Sequence, residues 1–327
     1  AVGLQGAGVP VATDGYSVAY VMAYALGQMG FALLGMWLLY LVLRRYFDDQ
    51  VAAAGTVMAW FGTTALHFSA VDLMMSHAAA LFSTAWCGFE AFTLRESSER
   101  LSKWLRLGAS CALVLLVRYQ DAVFLVVPLA AALTVLSTSA SPRTIRACVL
   151  GSVCAALGAA ALLGPQLVIW RIRSGEWIVN SYGQEATNFN WSQPHLLDVL
   201  YRDPMHGLLV WMPALTVGIV GCFALAARRR DPVVLAAGLA WVMHLYVICA
   251  WWGWEGITQR AISDVLLPIA LGFGAALTLA RGRWRLAVGA AAVALIAWNV
   301  PFVAAVDVPR ITAPVFSGWL EGLRQLL

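Results

Sequence analysis

The chain has 327 residues, of which 61% are hydrophobic and 12% are charged, and its mean hydropathy is +0.77. A soluble domain averages about a quarter charged residues and under half apolar ones, so the apolar surplus is expected to face lipid. The net charge of +4 is small and the basic residues are spread over several loops, which argues against nucleic acid as a partner. The composition therefore predicts an all-α, polytopic membrane protein.

Apolar runs long enough to cross a bilayer follow one another along the chain. A spanning helix needs roughly 20 apolar residues. The predicted spans cover about 18–43, 51–70, 74–94, 145–170, 207–227, 233–251, 263–280 and 286–305.

The run at 101–138 is interrupted by the polar tetrad Arg118, Tyr119, Gln120 and Asp121. One straight helix of this length would overshoot the bilayer and leave two charges at mid-depth. Two limbs that meet at the tetrad avoid both costs, so the sequence predicts a hairpin here.

The positive-inside rule supports the hairpin. With it, fourteen of the 21 lysines and arginines fall in loops on one side, whereas a single helix would move two arginine clusters across. We therefore predict about ten spans in one transmembrane domain over 1–327, with the long loop at about 171–206 on the outer side. The basic loops are 44–45, 95–106, 143–146, 228–230 and 281–285.

The sequence begins at Ala1, and its first residues resemble the middle of a polar loop. This predicts that the chain is the C-terminal part of a longer protein. The six cysteines all lie in apolar runs without metal-ligand spacing, and we interpret them as small buried side chains.

Two outer turns carry ionisable groups. Arg118 and Asp121 either form a self-satisfied pair that closes the hairpin, or Arg118 is presented to a phosphate. Asp72 either caps the helix that follows it or lines a cavity together with His77, which lies one turn inside that helix.

The long outer loop has two histidines, His195 and His206, close to Asp198. They are interpreted as phosphate or sugar contacts, as solvated loop residues, or as ligands of a metal. Ser192 is predicted to cap a short amphipathic helix with Pro194 in its first turn. Its apolar face would consist of Leu196, Leu197, Val199 and Leu200.

The loop from Trp251 to Arg260 mixes tryptophans with charged residues. Anchoring at the membrane interface explains the tryptophans alone. A sugar stacked on Trp254, with Arg260 on a phosphate, would also explain Glu255. His67, Glu90 and His244 lie inside spans and are interpreted as structural, with Glu90 near enough to the inner surface to snorkel.

Taken together, these residues resemble bacterial membrane glycosyltransferases of the GT-C superfamily, in the protein O-mannosyltransferase and aminoarabinose transferase group. The similarity runs from about Asp14 to Leu279. Its pieces are Asp14–Ser17, Leu43–Phe47, Val71–Asp72, Met75–Ala78, Val117–Asp121, Pro165–Gln166 with Trp170, Ser192–Leu200, His206–Leu208 with Trp211 and Pro213, and Trp251–Arg260 with Pro268. One piece departs from the family pattern, since a Gly-Gly, small residue, Phe-Gly loop is replaced by 255–259.

The resemblance implies transfer of a sugar from a polyprenyl-phosphate donor to a lipid, glycan or protein acceptor, on the periplasmic side of the bacterial cytoplasmic membrane. The main catalytic Asp of such enzymes would lie upstream of Ala1, with Asp72 as the fallback. No metal ligand is assigned and no cofactor is demanded, although a divalent cation is compatible with the chemistry. The implied substrate-binding residues are Asp72, His77, Arg118, Asp121, His195, His206, Trp254, Glu255 and Arg260.

A transporter or a flippase for lipid-linked sugars is the alternative function. Such a protein would be expected to show paired repeats, or spans broken by Gly or Pro in corresponding halves. Neither pattern is evident in the sequence.

Overall fold

The computed structural model describes residues 16–138, 141–179, 189–202, 207–251, 260–280 and 283–305. These residues fold as helices joined by turns, with one isolated extended bridge between Phe189 and Trp251. The helices are α1 Val18–Leu43, α2 Asp49–Phe61, α3 Ala65–Ala70, α4 His77–Phe92, α5 Leu101–Val117, α6 Val126–Thr138, α7 Pro142–Ser174, α8 Leu208–Trp211, α9 Ala214–Arg229, α10 Pro232–Ala250, α11 Leu267–Leu279 and α12 Arg283–Ala305.

Four helical stretches in the described ranges are long and apolar enough to cross a membrane. They are Val18–Leu43, Tyr119–Thr138, Pro142–Ser174 and Pro232–Ala250, while Leu267–Leu279 is apolar but shorter. These stretches confirm an all-helical chain in the described ranges and indicate a membrane protein.

Two predicted spans are broken rather than continuous. The segment 51–70 divides into α2 and α3 around Gly62, and 207–227 divides into α8 and α9. At the second break Pro213 follows Met212, and a proline has no N–H to continue a helix.

The helix in 101–138 ends at Arg118, as the polar tetrad predicts. Arg118 is extended, with φ −152° and ψ 120°, and a 3-10 segment over Tyr119–Leu125 leads into α6. Lys103, at the start of α5, contacts Glu90 near the end of α4, and α6 packs against the next turn, Leu94–Glu96. The chain therefore breaks and turns back at Arg118, as the hairpin requires, and a single continuous helix through this segment is excluded.

Basic loops meet at one end of the bundle, which we call the basic end. Arg45 pairs with Glu96, Arg95 lies 3.4 Å from Asp231, and a further pair joins Arg143 to Glu99 at 3.0 Å. These pairs connect the loops that follow α1, α4, α6 and α9. The structure thus brings four of the five predicted basic loops together.

Tyr46 and Glu90 add to the contacts at the basic end. The Tyr46 hydroxyl donates to Asp231 at 2.8 Å, and burial, then the Asp231 carboxylate, raises the pKa of Tyr46, so the phenol remains a donor. Glu90 is buried and does not snorkel, because Lys103 and Arg106 both reach its carboxylate.

Glycines allow two helix pairs to approach closely. A Cβ atom on Gly272 of α11 would lie 1.5 Å from the carbonyl oxygen of Gly218 in α9, and one on Gly108 of α5 would lie 1.8 Å from that of Ala155 in α7. Small residues at such contacts let helix backbones touch, which is a common way of packing helices in lipid. The 33-residue helix α7 packs mainly against α5.

The described part of the long outer loop lies against the end of α10. Its backbone bonds to that end, with the His195 N–H 2.8 Å from the Cys249 carbonyl oxygen. The helical turn begins only after His195, and the Ser192 hydroxyl donates to Asn190, so the predicted cap is wrong. The single apolar face is also wrong, because Val199 is buried whereas Leu197 is exposed.

Candidate functional site

A group of ionisable side chains is buried at the end of the bundle opposite the basic end, which we call the site end. We name the group the buried polar cluster; its members come from the start of α4, the break after α5, α10 and the 3-10 segment Arg260–Asp264 before α11. Four of the five side chains are at most 1% exposed, and the fifth, Arg118, is 13% exposed. The members are His77, Arg118, Asp121, His244 and Asp264.

Asp264 contacts two members of the cluster, His77 at the start of α4 and Arg118 just after α5. Its Oδ1 accepts a hydrogen bond from His77 Nδ1 at 2.7 Å, and its Oδ2 lies 3.2 Å from Arg118 Nε. The Thr84 hydroxyl donates to the Asp264 backbone carbonyl at 2.5 Å. This carboxylate therefore holds both His77 and Arg118 beside the first residues of α4.

Arg118 is held on one side only. Its Nη1 lies 3.4 Å from His77 Nε2 and 3.5 Å from the Ser76 hydroxyl. Among the described residues, no partner is found for Nη2. Since a guanidinium offers two parallel donors to a phosphate or carboxylate, Arg118 retains donor capacity for an anion.

The Arg118–Asp121 salt bridge, one of the two interpretations of the tetrad, is absent from the described part of the chain. The guanidinium pairs with Asp264 instead, which is a long-range partner that the local sequence does not reveal. Asp121 lies in the 3-10 segment after the break, and its Oδ1 is 3.5 Å from His244 Nδ1.

Asp121 and His244 are the least satisfied members of the cluster. The His244 ring donates through Nε2 to the Ala261 carbonyl oxygen at 3.0 Å. Its Nδ1 and both carboxylate oxygens of Asp121 have no hydrogen-bond partner among the described residues, and Oδ2 of Asp264 has only its ion pair with Arg118 Nε. Unsatisfied polar atoms this deep are rare in folded proteins and require an explanation.

The structure brings together His77, Arg118 and Asp121 from the predicted set. Asp72 lies apart, partly exposed in the turn before α4, with its N–H 2.9 Å from the His67 carbonyl oxygen. It does not cap α4, because Ser76 holds that position. His195 pairs with Asp198 at 3.6 Å, and both side chains are about one-third exposed.

Several predicted residues lie outside the described ones. They are His206, Trp254, Glu255 and the side chain of Arg260, so the predicted convergence of Arg118 with His206 and Arg260 stays a prediction.

Asp264 was not identified as a site residue from the sequence, and His244 was interpreted as a structural residue. The signal for Asp264 was its position at the start of an apolar run, where a buried carboxylate is costly and often functional. His244 lies mid-helix in α10 and carries no local signal that distinguishes it from His67.

Comparison of the chain with protein-family models, curated proteins and solved structures found no match. Function is therefore inferred from the geometry of the site end and from the motifs in the sequence.

Proposed function

We propose that the protein is a membrane glycosyltransferase of the GT-C type, which takes a sugar from a polyprenyl-phosphate donor on the outer face of the bacterial cytoplasmic membrane. The observation that carries the proposal is Arg118. It lies at the site end, is held by Asp264 and His77, and retains an unpartnered Nη2 among the described residues.

The two ends of the bundle support the orientation. Short basic loops favour the cytoplasmic side of a membrane. With the basic end inside, the site end faces outward, and the ten-span topology follows from the hairpin at Arg118. The partly exposed Asp72 and the loop with His195 then border the outer surface.

The reaction requires the functional groups that this end provides. The acceptor hydroxyl attacks the anomeric carbon, the bond from that carbon to the phosphate oxygen breaks, and a carboxylate takes the proton. Arg118 would stabilise the charge that develops on the departing phosphate. Within the described residues Asp72 is the candidate for this carboxylate, because Asp121 and Asp264 are fully buried.

A transporter or a flippase for lipid-linked sugars is the second candidate. The breaks at Gly62 and Pro213 favour it, since discontinuous helices are typical of transporters. The transferase is better supported because the buried polar cluster lies at one end of the helices, at the first residue of α4 and just after the last residue of α5.

The proposal predicts that Arg118→Ala weakens binding of a polyprenyl-phosphate sugar by about 10–100-fold, the typical effect of losing a charged hydrogen bond. The donor affinity of Arg118→Lys should lie between those of the unsubstituted protein and Arg118→Ala, since lysine keeps the charge without the two parallel donors of arginine. The measurement is equilibrium binding of a labelled donor to the purified protein in nanodiscs.

Arg106→Ala is the matched control. Arg106 lies on α5, and its Nε is 3.1 Å from the buried carboxylate of Glu90, but at the basic end. Equal weakening by both alanine variants would contradict a donor site at Arg118. Movement of an intact lipid-linked sugar across the bilayer without transfer would instead favour the flippase.

Orientation gives a separate prediction. A cysteine in place of Ser192, which is exposed at the site end, should react with a membrane-impermeant maleimide in intact spheroplasts. A cysteine in place of Arg100, exposed at the basic end, should react only after permeabilisation. The unsubstituted chain, with its six native cysteines, is the blank. The reverse labelling pattern would invert the proposed topology.

A further inference from the structure

Three side chains of the buried polar cluster converge on one point. Asp121, His244 and Asp264 each present a ligand atom, and these atoms all lie within 4.8 Å of one another. Each residue belongs to a different element, and each is 0% exposed. Nothing in the sequence groups these three residues, since they are far apart along the chain.

The tautomer of His244 determines what faces Asp121. Since Nε2 donates to the Ala261 carbonyl, the neutral ring carries a lone pair on Nδ1. This lone pair lies 3.5 Å from Oδ1 of Asp121, which is also an acceptor. Two acceptors at this distance repel each other unless a positive charge lies between them.

The separations favour a cation over a shared proton. A proton joins oxygen or nitrogen atoms about 2.7–3.0 Å apart. Metal ions bind histidine nitrogen and carboxylate oxygen at about 2.0–2.2 Å, so two ligands can lie up to about 4.4 Å apart. Because every pair lies within 4.8 Å, two ligands opposite each other across the ion would need to close by at most about 0.4 Å, and adjacent ligands by more.

The charges within the cluster lead to the same conclusion. Arg118 compensates one carboxylate, and His77 is accounted for as a neutral donor to Asp264 and acceptor from Arg118. This leaves the second carboxylate, Asp121, buried without a cation among the described residues. A buried uncompensated carboxylate is strongly unfavourable.

We propose that Asp121, His244 and Asp264 bind a divalent transition-metal ion, Mn²⁺ or Zn²⁺. An imidazole nitrogen beside carboxylate oxygens suits these ions, whereas Mg²⁺ and Ca²⁺ prefer oxygen ligands alone. The ion crosslinks the segment after Arg118 to α10 and to the segment before α11. This inference does not depend on the proposed transferase activity.

The test is metal retention by the purified full chain. The protein is stripped with a chelator, incubated with Mn²⁺, Zn²⁺ or Mg²⁺, freed of unbound ions and submitted to elemental analysis. We expect about one Mn²⁺ or Zn²⁺ per chain, no retained Mg²⁺, and a rise in melting temperature on metal addition, because a ligand that binds only the folded state stabilises it.

Asp121→Asn and His244→Gln should each reduce retention at least about 10-fold, since each removes a ligand while nearly conserving shape. Asp198→Asn is the control, because Asp198 lies 3.6 Å from His195 in a similar but partly exposed pair. Retention in Asp121→Asn equal to the unsubstituted chain would overturn the proposal. If that variant does not fold, the unsubstituted chain decides: no retained metal and an unchanged melting temperature after chelation would overturn it.

Discussion

Asp264→Ala is expected to lower the free energy of unfolding by about 3–5 kcal/mol, the cost of removing one partner from a buried ion pair. The substitution leaves Arg118 without its carboxylate, and His77 loses the acceptor of its 2.7 Å hydrogen bond. His77 cannot recover water because it is 1% exposed, and Arg118, which is 13% exposed, recovers it only in part. The measurement is reversible unfolding in mixed micelles.

Glu99→Ala is the matched control for this prediction. Glu99 also pairs with an arginine, Arg143, at 3.0 Å, but their side chains are 62% and 81% exposed. Exposed pairs contribute about 0–1 kcal/mol. If the two variants lost similar stability, Asp264 would not be the centre of the cluster.

Gly272→Ala is expected to cost about 3 kcal/mol, the upper part of the usual range for overpacking. The added methyl would meet the Gly218 carbonyl oxygen at 1.5 Å, and this backbone atom moves only if α9 and α11 separate. The loss of packing should appear as a lower melting temperature in detergent.

Gly30→Ala provides the comparison for the packing prediction. Gly30 lies inside α1, and a Cβ atom there would meet nothing within 4 Å. Alanine is favoured over glycine in a helix by about 1 kcal/mol, so this variant should be neutral or more stable. A Gly272→Ala protein as stable as the Gly30→Ala protein would mean that α9 and α11 are not in backbone contact.

Local patterns predicted the features that depend on few residues. The all-helical composition, the break at Arg118 and the gathering of the basic loops follow from hydropathy, from the cost of charge at depth and from the positive-inside rule. Each of these signals is contained within one loop or one span. The structure agrees with them in the described ranges.

The same local patterns could not predict contacts between distant segments. One interpretation paired Arg118 with the nearby Asp121, but Arg118 pairs with Asp264, which comes from another part of the chain. His244 and Asp121 meet only because α10 packs beside the 3-10 segment at Tyr119–Leu125. No periodicity within one segment reports which helix will lie beside it.

Capping was also mispredicted for a physical reason. Asp72 and Ser192 are residue types that favour N-caps, but each also suits a turn that is not a cap. Ser192 donates to Asn190 in such a turn, and the helical turn starts later. Residue type gives the local options, and the packing of the loop on α10 selects among them.

The length of α7 has a consequence for the surrounding lipid. Its 33 residues extend about 50 Å at 1.5 Å per residue, against a hydrocarbon core of about 30 Å. Even a tilt of about 40° accommodates only some 39 Å of helix, so the remainder must stand clear of the acyl chains. The segment that follows α7 contacts the site end, because the Tyr119 hydroxyl donates a hydrogen bond to the Val179 carbonyl oxygen at 3.2 Å. Hydrophobic mismatch would therefore act directly on this end, and acyl-chain length should set how far it rises above the membrane.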